Sequence, residues 1–73
     1  MAHLKPPDYD RLERAIADGR RIAVIRQGRE IVVVPLRLRS GSGREAIEAR
    51  HPTTGESLHF VVEDIDGFEV VTW

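Results

Sequence analysis

The chain has 73 residues, no cysteine and a formal net charge of −1, which fits one small domain without disulfides or thiolate-bound zinc. A chain this short buries only a modest core, so its apolar segments must all be used. The first residues, MAHLKPPDYD, lack the apolar stretch of a signal peptide, and no apolar run reaches membrane-spanning length. The expectation is a cytoplasmic protein without a membrane partner.

Residues 1–7 read as a disordered lead-in, kept extended by Pro6-Pro7. The single domain is then residues 8–73. Asp8 is a suitable N-cap for a helix over residues 9–18, with Gly19 as its stop. Tyr9, Leu12, Ala15 and Ile16 form one apolar stripe, and Asp10 and Arg14 form an i,i+4 pair outside it. Tyr9 is expected at the core edge with its hydroxyl in water.

Residues 21–38, RIAVIRQGREIVVVPLRL, predict a β-hairpin around Gln27-Gly28. A two-residue loop puts Arg26 opposite Arg29. Ile22, Val24, Ile31 and Val33 then share one face, and Ala23, Ile25, Val32 and Val34 the other. Two apolar faces imply two covers, a curled sheet on one side and the helix on the other. Beyond Val34, alternation points Leu36 and Leu38 inward and Arg37 and Arg39 outward. Pro35 cannot donate to a ladder, which marks a sheet edge or a bulge.

Ser40-Gly41-Ser42-Gly43 reads as a turn, and residues 44–50 as a third strand. A turn through Pro52-Thr53-Thr54-Gly55 leads to a fourth strand over residues 57–62. If His51 faces Glu56, Ile47 lies opposite Phe60, Ala49 opposite Leu58 and Glu48 opposite His59, with the four apolar residues on one face. Strict alternation with Ile47 also points Glu45 inward, where its carboxylate needs a partner. Residues 63–67 read as one 3₁₀ turn anchored by Ile65, before a fifth strand over residues 68–72. Trp73 is expected to cap the core. The fold class is therefore mainly β, a small five-stranded Sm-like or SH3-like barrel with one N-terminal α-helix.

Catalytic groupings are missing from this pattern. The serines have no evident base, and His51 and His59 are too separated along the hairpin to pair on a metal. The expectation is a noncatalytic protein without cofactor or metal. Charge is distributed unevenly: residues 11–50 carry ten arginines against five acids, whereas residues 51–73 carry five acids and no Lys or Arg. The outward set on strands two to four comprises Arg37, Arg39, Arg44, Arg50 and His59, with Glu48 its only acid. Arginine makes forked contacts with phosphate or carboxylate, so this face is the candidate site for an anionic ligand, a nucleotide or single-stranded nucleic acid. No aromatic residues interleave with these arginines as stacking platforms.

Two family resemblances sharpen the reading. Leu12, Ala15-Ile16 and Gly19-Arg20-Arg21-Ile22, then Val34-Pro35-Leu36-Arg37-Leu38, Ala49-Arg50, Gly55-Glu56, Phe60 and Glu63-Asp64-Ile65 resemble the WYL domain. That resemblance implies an Sm-like barrel that senses nucleotides or nucleic acid in bacterial transcription regulation. The Trp-Tyr-Leu of the family's name falls on Glu45-Ala46-Ile47, which keeps only the aliphatic residue. Arg50 and His59 are the positions that carry over. Asp8-Tyr9-Asp10, Leu12-Glu13 and Ala15 are similar to the start of the Rof-like inhibitors of the termination factor Rho. That likeness implies a protein partner on Asp8, Asp10 and Glu13. A third option is a homo-oligomer built by pairing unclosed strand edges.

Overall fold

The computed structural model describes residues 4–41 and 43–72. The chain runs α1 (Pro6–Asp18), β1 (Ile22–Arg26), β2 (Arg29–Gly41), β3 (Arg44–Arg50), β4 (Ser57–Val61), a 3₁₀ turn (Val62–Asp64) and β5 (Gly67–Val70). The five strands form one antiparallel sheet in the order β4-β3-β2-β1-β5. The mainly-β expectation with an N-terminal helix holds. The sheet curls but does not close, leaving β4 and β5 as its edges.

β1 and β2 are joined by the expected two-residue turn, with Arg26 opposite Arg29. Gln27 and Gly28 both have positive φ, 50° and 77°, the pair of left-handed conformations that a type I′ hairpin requires. The turn is also pinned from outside: the Gln27 N–H donates to the Asp66 carboxylate at 3.1 Å, and the Asp66 N–H donates to the Ile25 carbonyl at 2.7 Å. The first part of β2 pairs with β1 and the remainder, from Val34, with β3. One long strand thus links both halves of the sheet.

The core gathers on one face. Leu12 and Ala15 from α1 pack with Ile22, Val24, Val33, Ile47, Ala49, Phe60, Val62, Ile65 and Phe68. Ile65 is buried after the 3₁₀ turn, as its role of anchor requires. The expectation of a separate cover for each hairpin face is corrected, because the helix docks on the face that the sheet itself curls around. On the opposite face Ala23 is buried, but Ile25, Val32 and Val34 are only half-buried. Neighbouring β-branched side chains shield one another there.

The helix begins at Pro6 rather than after an Asp8 cap. Pro6 and Pro7 occupy its first turn, where an N–H has no intrahelical acceptor and the fixed proline φ already suits a helix. Asp8 therefore sits inside the turn, its N–H donating to the Lys5 carbonyl at 2.8 Å and its carboxylate accepting the Lys5 N–H at 2.9 Å. Leu4, within the expected lead-in, packs against the core. Met1–His3 lie outside the described residues. At the other end Gly19 adopts φ 68°, and the Arg20 N–H returns to the Ala15 carbonyl at 2.9 Å. Among the described residues the helix ion pair is Arg11 with Asp8 at 3.3 Å, not Asp10 with Arg14.

Ser40 and Gly41 belong to β2 rather than to a loop, and Gly41 pairs with Arg44. β5 ends at Val70, earlier than expected, and the expected position of Trp73 lies outside the described residues.

Candidate anion-binding face

The placement of the arginines begins at Pro35. It is buried in the middle strand of the sheet, opposite Ala49, and it has no N–H to give the ladder. The pairing shifts by one residue between Pro35 and Arg37. Leu36 is the extra residue of this bulge, and at 47% exposure it is not the inward residue expected. Inward positions are Val33 and Pro35 before the bulge and Leu38 after it, opposite Ile47. Without the extra residue Arg37 and Arg39 would share the parity of Val33 and face the core. The bulge turns both arginines outward.

The registers of β3 against β4 are those expected: Ile47 opposite Phe60, Glu48 opposite His59 and Ala49 opposite Leu58. On the outer face one row therefore runs Arg37, Glu48, His59, and the next runs Arg39, Ala46, Val61. Arg44 lies opposite Gly41 at one end, and Arg50 lies between Val34 and Ser57 at the other. Six residues of strand separate Arg44 from Arg50, about 20 Å. The structure thus brings Arg37, Arg39 and His59 together, sets Arg44 beside Arg39 in a shallow groove, and leaves Arg50 apart.

The group at the centre is Glu48. Its Oε1 receives Arg37 Nε at 2.9 Å, and its Oε2 receives an Arg39 terminal nitrogen at 2.8 Å. His59 Nε2 stands 3.7 Å from the same Oε2. The Glu48 side chain is only 15% exposed, whereas those of Arg37 and Arg39 are 67% and 66% exposed. The carboxylate is the floor of the site and the guanidinium groups are its rim. The Arg39 hydrogen bond, followed by the charges of Arg39, Arg37 and His59, holds the Glu48 carboxyl below its ordinary range against a smaller opposing effect of burial. The same hydrogen bond and charge raise Arg39 further. Sequence reasoning identified Glu48 as the only acid on this face but not as the centre of the array. The signal was its diagonal relation to Arg39, which requires the bulged register.

A second polar contact, on the inner side, supplies the partner that Glu45 requires. The Tyr9 hydroxyl donates to the Glu45 carboxylate. The tyrosine hydroxyl is therefore not simply in water. The bond to Glu45, then burial and the nearby charge, push the Tyr9 phenol above its ordinary value. On the helix, Asp8 is occupied by Lys5 and Arg11, whereas Asp10 and Glu13 are exposed. His51 serves its own turn, its Nδ1 accepting the N–H groups of Thr53 at 3.1 Å and Thr54 at 3.2 Å.

No family model matches the sequence, and no curated protein matches it. Among solved structures, the proteasome accessory factor B/C (PafBC) of Arthrobacter aurescens is similar over 100% of this chain, with a TM-score of 0.75 and 20% identity. This chain spans 13% of that protein's length. The likeness is one of fold.

Proposed function

We propose that this chain is a noncatalytic binding or regulatory module whose outer β2–β4 face takes an anionic ligand, a nucleotide or single-stranded nucleic acid. The observation that carries the reading is the clustering of Arg37, Arg39, Arg44, Arg50 and His59 on one face against the single carboxylate of Glu48. Exposed guanidinium groups at strand spacing suit a chain of phosphates, which they contact without reading base identity. The fold shared with PafBC supports the WYL-like resemblance rather than the Rof-like one. Charge reversal provides the test. Arg37→Glu with Arg50→Glu is expected to abolish binding of a short single-stranded RNA at low salt while the thermal transition is kept. Unchanged binding in that double variant would refute the reading.

A protein partner on the helix is the second reading, favoured by the exposure of Asp10 and Glu13 on the side away from the core stripe. Capture of a partner that is lost in Asp10→Lys with Glu13→Lys would support it. The open β4 and β5 edges are where copies of the chain would pair, and light scattering distinguishes a monomer from a ring.

A further inference from the structure

The arginine face already contains a carboxylate, and this limits which anions it accepts. Both Glu48 oxygens are engaged, one by Arg37 at 2.9 Å and the other by Arg39 at 2.8 Å. The side chain is tethered to the same sheet, so any external carboxylate competes with an intramolecular one at high effective concentration. A monocarboxylate brings one charge and two coplanar oxygens, which is what Glu48 supplies. It gains nothing by replacing it. Each arginine nevertheless has five N–H donors, and this contact uses one from Arg37 and one from Arg39. The remaining donors project from side chains about two-thirds exposed. Beside them a shallow groove is lined by Arg39, Ser40, Gly41, Arg44, Ala46 and His59, over the Glu48 floor. Among the described residues Arg44 makes no ion pair, so its whole fork faces this groove.

We infer that the groove is a site for a terminal phosphate group, held by the free donors of Arg39 and the fork of Arg44, and that Glu48 is the residue that selects phosphate over carboxylate. The inference rests on the anion-binding reading of this face and narrows it to one chemical class. A terminal phosphate carries about −1.5 to −2 charge near neutral pH and has three acceptor oxygens. It reaches several donors at once without needing the Arg37 and Arg39 nitrogens that Glu48 holds. His59 flanks the groove and adds attraction when protonated. The repulsion from Glu48 falls on every anion, but only one with the larger charge and more acceptors offsets it.

Phenyl phosphate and benzoate differ only in the anionic group, and titrating both at matched ionic strength is the test. The readout is the Arg Nε–H and backbone amide resonances in nitrogen–proton correlation spectra. In the natural protein phenyl phosphate is expected to shift Arg39, Arg44 and His59 at millimolar concentration, and benzoate to leave them in place. Glu48→Gln is expected to tighten both ligands and to collapse the preference severalfold. Glu69→Gln, the same charge change at an exposed β5 position, is expected to preserve it. Equal binding of the two probes to the natural protein would overturn the selection, and so would a preference that survives Glu48→Gln. The anion-binding reading would stand in both cases. Shifts with neither probe in either protein would remove the reading and the inference together.

Discussion

Strand β3 carries two carboxylates three residues apart that do opposite work. Glu45 shares the inward parity of Ile47 and meets a neutral phenol from the helix. Glu48 lies on the outer face and meets two guanidinium groups. The inner contact joins elements distant in sequence and fixes α1 against the sheet. The outer one joins neighbouring strands that backbone pairing already holds, so it adds little to stability and serves mainly to order the arginines. Similar chemistry thus produces a fastening on one face and a site on the other, and the difference lies in which residues the sheet parity places opposite.

The strongest way to break this comparison is to remove the bulge that sets the parity. Deleting Leu36 would bring Arg37 and Arg39 into register with the core, because a one-residue slip exchanges the two faces of a strand. The expected outcome is loss of the cooperative thermal transition. A deletion variant that melts like the natural chain would show that the bulge does not place the arginines. Truncation of Ile47→Ala, which lies between the two carboxylates and is fully buried, is expected to cost about 2–5 kcal/mol in a denaturant titration. It should leave relative preferences among anions unchanged.

Tyr9→Phe tests the inner contact alone. Loss of a hydrogen bond to a carboxylate in a half-buried setting is expected to cost about 1 kcal/mol. The sign of its pH dependence follows from the raised phenol: the contribution is complete below the ordinary tyrosine value and lost as pH rises through the elevated one. The outer contact behaves in the opposite sense. Because the Glu48 carboxyl is depressed, its contribution is present above the ordinary carboxylate range and lost as pH falls through the depressed value. That loss is expected to be the smallest of these effects on melting temperature and to shrink further with salt. A Glu48→Gln variant with a markedly lowered melting temperature would make the outer contact structural and erase the distinction.

Much of the sheet was legible because each apolar position constrained its opposite. Ile47 with Phe60 and Ala49 with Leu58 align only in the register that the structure adopts, and Gln27-Gly28 fixes the hairpin. Leu36 was misread because Pro35 announces a disruption without saying which neighbour takes up the extra residue. The Pro-Pro pair was read as extended chain, although both prolines suit the first turn of a helix. The Tyr9 contact was half visible: alternation pointed Glu45 inward, and the apolar stripe of the helix already contained a residue with a polar tip. Joining the two required the crossing of α1 over β3, which local patterns do not encode. The arginine face was recoverable in membership but not in arrangement, since its rows depend on the bulged register.

The central claim is that this face meets phosphate, and a titration of isotope-labelled protein with short single-stranded RNA and DNA, followed by amide resonances at low and then moderate salt, tests it most directly. The account predicts shifts confined to Arg37, Arg39, Arg44, Arg50 and their neighbours, fading as salt rises because the contact displaces counterions. An unchanged spectrum, or shifts centred on Asp10 and Glu13 instead, would contradict it.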